Sequence, residues 1–370
     1  MRTRTAISFA LFASIAFACS KTQSESGVAT AKTPPPAASA STGTAESKLT
    51  APPGWLQVRG NKLLGTDGKP FHGRGANIHD TRSCNSCTWG KPNVGEVLRR
   101  VDMLTDGWKA NFVRLLLESY DKPEGRTTWA SLMDDPQYFS DVQKIVAHVG
   151  TKKGVTLMLS VWHDPSLGKK GLPTADTIKL WKKLATAFKD SPHVIFGLVN
   201  EPEENYDGAD DQNVWKAMND TVTAIREVEG SGPKHVIAVQ GTRAWSRVLD
   251  YYVTHPITAG GGVNIVYETH VYDPRDQFKA RFIEPSKKIP VIIGEFGPVT
   301  DIANMKMEDC AALMDEAEKA EVPYLAYTFH FRCPPNLLND YSNNGCGEGT
   351  KLEPSPWGTM LKDRLAKPWP

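Results

Sequence analysis

Two glutamates in this sequence each end an apolar run and precede a residue with a special backbone. Glu201 ends HVIFGLVN and is followed by Pro202, while Glu295 ends PVIIG and is followed by Phe296 and Gly297. Proline and glycine at such positions suit a fixed backbone beside a functional side chain. Two carboxylates that face one bond are what glycosidic hydrolysis needs: a protonated one donates to the leaving oxygen, and an ionised one stabilises or attacks the developing cation.

Other carboxylates also lie where an apolar run turns polar, so spacing alone does not select the pair. The candidates are Asp80, Glu118, Asp164, Glu201, Glu268 and Glu295. The neighbouring proline and glycine favour Glu201 and Glu295. Because these strand ends carry neither a serine nucleophile elbow nor a histidine cluster at a metal-binding spacing, we expect no serine-hydrolase chemistry, no metal and no cofactor.

The segments that must position these carboxylates alternate between two patterns from Gly54 onward. Near-continuous apolar runs that alternate with stretches of helical spacing indicate a parallel sheet covered by helices. Eight such units over about 300 residues, without G-x-G-x-x-G after the first run, predict an α/β fold of the (β/α)8 TIM-barrel type rather than an open sheet. The predicted strands are 71–79, 110–118, 154–163, 193–201, 235–241, 264–272, 290–296 and 323–331.

The remaining regular elements are predicted from helical spacing and from one turn. Asp67 and Gly68, within WLQVRGNKLLGTDGKPF, predict a β-hairpin turn, and this short N-terminal hairpin is expected to cover the barrel floor. Helices are predicted at 93–104, 140–150, 174–190, 212–229, 243–253, 275–284, 307–320 and 355–366. The catalytic groups of such a barrel lie at the carboxyl ends of its strands.

The two glutamate motifs resemble those of a known family. Asn200-Glu201-Pro202, at the end of the fourth predicted strand, and Gly294-Glu295-Phe296-Gly297, at the end of the seventh, are similar to the acid/base and nucleophile motifs of family 5 glycoside hydrolases. That family of clan A contains many cellulases and β-mannanases, which are retaining (β/α)8 enzymes. The resemblance covers essentially all of residues 54–370.

The resemblance implies roles for individual residues. Glu201 would be the general acid/base, Glu295 the nucleophile, and Asn200 the partner of the sugar 2-hydroxyl. A retaining enzyme forms a covalent glycosyl intermediate between carboxyls that lie about 5 Å apart. Glu201 would then need a raised pKa to act as the acid while Glu295 stays ionised.

Further positions match the family's binding residues. Arg114 corresponds to the arginine of the second strand, and a cation near the nucleophile keeps a carboxylate ionised. His270 and Tyr272 match the His-x-Tyr pair of the sixth strand, and His163 is the expected histidine of the third, although VWHDP departs from the commoner Asp-x-His form.

The eighth predicted strand departs from the family pattern. The family usually places a tryptophan at its end as a platform for a sugar ring, whereas AYTFHF offers Tyr327 and Phe329. Tyr327 is the favoured substitute. Trp162 and Trp245, near the ends of the third and fifth strands, would either stack on sugars or pack into the core.

The first 53 residues have the composition of an export and tether segment. Residues 1–18 have a basic start, an apolar stretch too short to span a bilayer and an Ala-Phe-Ala end, which predicts a signal peptide. Cys19 follows in a context that resembles a bacterial lipoprotein cleavage box, so lipidation is expected, with plain secretion as the alternative. Residues 19–53, rich in Ser, Thr, Ala and Pro, predict a linker to the catalytic barrel of residues 54–370.

The cysteines beyond Cys19 number five, which leaves at least one unpaired in any intramolecular scheme. Cys310 lies at helical spacing with apolar residues and is predicted to be a buried free thiol. In an exported chain the other four are predicted to form disulfides rather than a zinc site, paired either within or across their two loops. They are Cys84, Cys87, Cys333 and Cys346.

Composition and the family resemblance together limit the possible functions. The near balance of 43 Lys and Arg against 42 Asp and Glu gives no field for nucleic acid or anionic membranes, so membrane contact would come only through a lipid on Cys19. The expected partner is a polysaccharide, first a β-1,4-glucan cut by an endoglucanase, then β-mannan or xylan. The alternatives are sugar transfer instead of hydrolysis and a non-catalytic carbohydrate-binding surface lipoprotein.

Overall fold

A closed barrel of eight parallel strands forms the centre of the structure, a computed structural model that describes residues 54–65, 67–82, 92–117, 131–162, 172–202, 204–299, 304–331, 333–339 and 351–370. The barrel strands follow a short hairpin of β1 (Gln57–Arg59) and β2 (Lys62–Leu64). They are β3 (Arg74–His79), β4 (Phe112–Leu117), β5 (Thr156–Val161), β6 (Val194–Gly197), β7 (Ile237–Gln240), β8 (Ile265–Val271), β9 (Val291–Phe296) and β10 (Tyr324–Ala326). β10 pairs with both β9 and β3, which closes the barrel and confirms the predicted (β/α)8 fold.

Nearly every residue of the barrel strands is buried, which explains why their sequences are continuous apolar runs. Along each strand, every second side chain points outward and packs under the helices, while the side chains between them fill the barrel interior. The apolar part of the interior is formed by Phe112, Met158, Ile195, Ala238, Val266, Ile292 and Leu325.

The N-terminal hairpin covers the floor of the barrel, as predicted. Leu56, Leu63 and Phe71 pack against the apolar interior set, and the backbone N–H of Val58 donates to Oδ1 of Asn264, just before β8, at 3.0 Å. The predicted turn at Asp67-Gly68 is present, since it brings Pro70 back antiparallel to Leu64. It follows a turn that was not predicted: Arg59 pairs with Lys62, so Gly60-Asn61 joins β1 to β2.

Helices follow most strands and cover the outside of the barrel. They are α1 (Val94–Asp102), α2 (Pro136–Gly150), α3 (Ala175–Phe188), α4 (Asp211–Glu229), α5 (Asp250–Thr254), α6 (Glu284–Ser286), α7 (Met307–Lys319) and α8 (Pro356–Leu365). Short π-helical turns at 103–107 and 279–283 extend α1 and precede α6. None of the helices in the described ranges is long and apolar enough to span a membrane.

The helix predicted at 243–253 is wrong in its first half. Ala244, Trp245 and Ser246 have φ values of 47°, 57° and 64°, so the chain makes a left-handed turn, and α5 begins only at Asp250. The backbone N–H of Trp245 donates to the carbonyl of Pro202 at 3.0 Å, which replaces a helical bond with one to the loop after β6. This tertiary contact outweighs the helical spacing of the segment.

The structure tests one of the cysteine predictions. Cys310 is free and fully buried in α7, which confirms the prediction for it, and burial raises the pKa of its thiol. Cys333 is also buried. Cys84, Cys87 and Cys346 lie outside the described residues, as do Cys19 and the proposed linker, so the disulfides and the lipid anchor stay predictions.

Candidate active site

The carboxyl-terminal ends of four strands bring most of the candidate residues to one place. Arg114 lies within β4, Asn200 and Glu201 follow β6, His270 and Tyr272 lie in and just after β8, and Glu295 lies in β9. Hydrogen bonds or ion pairs link all six. His163 lies outside the described residues.

The guanidinium of Arg114 is the buried centre of the group. It is fully buried, and its Nη atoms donate four hydrogen bonds of 2.7 to 2.8 Å. The acceptors are Asn77, Ser160, Asn200 and Glu295. Because a planar guanidinium donates in fixed directions, these bonds set the relative positions of strands β3, β4, β5 and β9 and of the turn after β6.

Glu295 is held at both of its oxygens. Oε1 accepts from Arg114 at 2.7 Å, and Oε2 accepts from the hydroxyl of Tyr272 at 2.9 Å. Burial raises the pKa of Glu295, while the charges of His270 and Arg114 oppose that rise and Glu201 adds to it. The net shift is upward, although the bonds themselves favour the carboxylate.

Glu201 is the more open of the two carboxylates. Its side chain is 16% exposed against 6% for Glu295. The backbone of Glu201 has a φ of 45°, and its N–H donates to Oε1 of Gln240 at 3.2 Å, which fixes an otherwise unfavourable conformation. Its Oε1 lies 2.7 Å from Nδ1 of His270.

The separation of the two carboxylates limits the chemistry they can perform. One oxygen each of Glu201 and Glu295, and one ring nitrogen of His270, lie within 4.8 Å of one another. Inverting glycosidases separate their carboxyls by about 6.5–9.5 Å to admit a water, whereas retaining enzymes use about 5 Å. This spacing therefore matches a nucleophile and acid/base pair. The three groups could also hold a metal ion, but His270 would first have to lose a proton.

His270 lies among carboxylates, which favour its charged form. Burial lowers its pKa, but Glu295, Glu201 and Glu268 raise it, to about 9. Glu268 is fully buried and lies 3.1 Å from Nε2 of His270. Burial raises the pKa of Glu268, but Arg114 and His270 lower it below its ordinary value.

Tyr327, rather than Phe329, lies beside the site. Phe329 is fully buried and packs edge-on against Trp108 in the outer core. Tyr327 is only partly buried, and its hydroxyl lies 3.4 Å from Nε2 of His79. Burial raises the pKa of Tyr272, with Glu295 and then Tyr327 as further causes, which places Tyr327 near the carboxylates.

Comparison with known families gives a match to one family model. The model of the cellulase family, glycosyl hydrolase family 5, matches residues 64–331. The chain belongs to that family. Endoglucanase A of Butyrivibrio fibrisolvens is 23% identical over 249 residues, which cover 66% of this chain and 52% of that protein. An endoglucanase of Clostridium saccharobutylicum is 24% identical over 260 residues, 68% and 51% of the two.

The chain thus spans about half the length of these curated relatives. Among solved structures, the catalytic domain of Thermobifida fusca endoglucanase Cel5A in complex with cellotetraose superposes with a TM-score of 0.66 at 19% identity. The match covers 85% of this chain and 98% of that domain. At this identity the likeness shows the shared fold.

This family 5 barrel also places around Arg114 and His270 four polar residues to which the sequence motifs gave no role. They are Asn77, Ser160, Gln240 and Glu268, all buried in the barrel interior. Glu268 was already one of the six candidate carboxylates, and all four lie in strands whose other residues are mostly apolar. A polar residue inside a strand that is buried on both faces was the available signal, because such a group needs a partner.

Proposed function

We propose that this family 5 member is a retaining, endo-acting glycoside hydrolase that cleaves β-1,4-glucan. The observation that carries the proposal is the pair Glu201 and Glu295, with carboxylate oxygens within 4.8 Å of each other at the ends of β6 and β9. The names of the two curated relatives, both endoglucanases, support glucan over mannan or xylan.

In the first step of this mechanism Glu295 attacks the anomeric carbon. Arg114 and Tyr272 hold its two oxygens and favour the ionised form. Glu201 gives its proton to the leaving oxygen as the glycosidic bond breaks, and Glu295 becomes a glycosyl ester. Asn200 accepts from Arg114 through Oδ1, which leaves its amide N–H groups to donate to the 2-hydroxyl of the sugar.

In the second step Glu201, now ionised, removes a proton from water. That water attacks the anomeric carbon, releases Glu295 and restores both groups with retained configuration. The greater exposure of Glu201 supports this role, because the acid/base must reach both a departing sugar and an entering water.

Aromatic side chains around the carboxylates suit the apolar faces of sugar rings. Tyr327 would form the floor beside Glu295, in place of the family's tryptophan, and His163 would bind the same sugar. On the side of Glu201, Trp245 is held by its backbone bond to Pro202, and the 61% exposed Tyr206 packs edge-on against it at 5.4 Å.

The polysaccharide substrate requires the enzyme to work outside the cytoplasm. We assign residues 1–18 to a signal peptide, Cys19 to lipid attachment and residues 19–53 to a linker that holds the barrel away from a surface. The exported protein would be a cell-surface or outer-membrane lipoprotein, or a secreted protein if Cys19 is not modified.

The test measures reducing ends released from soluble β-1,4-glucan, β-mannan, xylan and mixed-linkage glucan. We expect the purified protein to act first on β-1,4-glucan, and Glu295→Ala to lower kcat by at least about 10³-fold, since no other group can form the glycosyl ester. Glu229→Gln, in a buried ion pair away from the cleft, is the control. A folded wild-type protein that binds a polymer without cutting it would instead support the binding-lipoprotein alternative.

A further inference from the structure

A third carboxylate, Glu268, lies beneath the pair and is fully buried. Its Oε1 is 3.0 Å from Nε of Arg114 and 3.1 Å from Nε2 of His270. Arg114 and His270 in turn contact the catalytic pair, because Arg114 donates to Glu295 and Nδ1 of His270 lies 2.7 Å from Glu201. A continuous row of charged or titratable groups therefore runs from Glu201 to Glu295.

The absence of a side chain at Gly294 leaves space for Glu268 inside the barrel. A Cβ atom on Gly294, the residue before Glu295 in β9, would lie 1.9 Å from Oε1 of Glu268. Any side chain at that position would displace Glu268. Burying a carboxylate is unfavourable unless it is paired, and Arg114 already has Glu295 as a counter-ion. Glu268 pairs with Arg114 as well as with His270, and it is the one charged partner of Nε2 of His270 among the described residues.

Glu268 fixes the role of Nε2 of His270. A carboxylate only accepts hydrogen bonds, so Nε2 must carry a proton. The Oε1 of Gln240 accepts from the N–H of Glu201, so its amide nitrogen is the atom 3.3 Å from Nε2. An amide N–H only donates, so beside a protonated Nε2 this group donates to Glu268 rather than to the ring. Nδ1 then faces Glu201 at 2.7 Å and Oε2 of Glu295 at 3.5 Å.

We propose that Glu268 is a positioning residue that holds His270 as an imidazolium, with Nδ1–H between the two catalytic carboxylates. The proposal rests on the retaining mechanism given above. In the first step negative charge leaves Glu295, which becomes an ester, and appears on Glu201, which has lost its proton to the leaving oxygen. In the second step the charge returns. His270 gains and loses no proton, and its cation compensates the pair in each state.

The charged groups that face His270 come from four strands. Glu268 lies on the same strand, Glu201 follows β6, Glu295 lies on β9, and Arg114 on β4 acts through Glu268 and Glu295. Burial lowers the pKa of His270 and these carboxylates raise it, to about 9. Loss of the Glu268 charge should let the ring deprotonate at a lower pH.

The test compares the wild-type protein with Glu268→Gln, which keeps the side-chain shape and removes the charge. Nitrogen-15 NMR of the histidine ring follows protonation, with the His270 signals assigned through His270→Gln. We expect the His270 titration to move down by about one pH unit or more, because the ring loses a neighbouring negative charge.

Glu229→Gln is the matched control. Glu229 is another buried carboxylate, which lies 2.9 Å from Nδ1 of His235 and 2.6 Å from Arg226, outside the cleft. Its substitution should lower stability and leave the His270 titration in place. Glu268→Asp, which retains the charge, should restore a large part of the wild-type titration.

Two results would overturn the proposal: a His270 ring that is neutral at neutral pH in the wild-type protein, or a titration that Glu268→Gln does not move. The first needs no variant, so it decides the matter even if Glu268→Gln does not fold. Failure of the proposed function gives a different result, in which the wild-type protein cuts no polysaccharide although the His270 titration still responds to Glu268→Gln.

Discussion

Glu201 and Glu295 carry the same carboxyl group in different surroundings. Glu295 is enclosed and accepts from Arg114 and Tyr272, so both of its oxygens are held in place for attack. Glu201 is more exposed, and its fixed backbone lets the side chain meet both a sugar oxygen and water. Enclosure suits a nucleophile that must attack one atom, while exposure suits a group that must exchange protons.

The acidic limb of activity should report the titration of Glu295. Burial raises the pKa of this group, and its protonated form cannot attack, so kcat/KM should rise as pH increases through a pKa above the ordinary glutamate range. The measurement is kcat/KM for a soluble glucan against pH. Full activity retained at pH values where an ordinary glutamate is protonated would show that the pKa of Glu295 is not raised.

Among the elements, strands were easier to predict than turns. Barrel strands are buried on both faces, so apolar runs such as VIIGEF marked them clearly. The left-handed turn at 244–246 was missed, because bonds from Ala244 and Trp245 to the loop after β6 override the spacing of the segment. Asn77 was not selected, and Glu268 was a candidate carboxylate without a role, since only the assembled barrel shows which strand residues meet Arg114 and His270.

The floor hairpin should contribute stability without affecting chemistry. Leu63 of β2 is 5% exposed and packs into the barrel interior at the end opposite the carboxylates. We expect Leu63→Ala to lower the free energy of unfolding by about 2–4 kcal/mol through lost burial and a cavity, with kcat nearly unchanged. Denaturant unfolding and the glucan assay measure the two effects, with the exposed Lys69→Ala as the neutral control. A large fall in kcat for Leu63→Ala would show that the floor and the cleft are coupled.

For the molecule as a whole, the family model matches residues 64–331, while the export role of residues 1–53 stays a prediction. The (β/α)8 fold followed from the sequence because each strand and helix repeats the same burial pattern. The export and tether segment was predicted from its composition and from the residues around Cys19, because a segment rich in Ser, Thr, Ala and Pro builds no core of its own.

Lipidation of Cys19 should decide where the protein resides. Expressed as the full chain in a Gram-negative bacterium, the wild-type protein should sediment with membranes and carry acyl mass, because two or more chains anchor stably. Cys19→Ala, which has no thiol to modify, should lose both properties, and Ser20→Ala should keep them. Equal partition of the wild-type and Cys19→Ala proteins would favour secretion without an anchor.

The central claim, that Glu295 is the nucleophile of a retaining reaction, is tested most directly by trapping the glycosyl ester. A 2-deoxy-2-fluoro cellobioside with a good leaving group forms the ester readily and releases it slowly, because fluorine destabilises the cationic transition state of both steps. Mass spectrometry of the digested protein should then find one added glycosyl group, on the peptide that contains Glu295. A label on another carboxylate, or turnover of natural substrate without any labelled protein, would contradict the account.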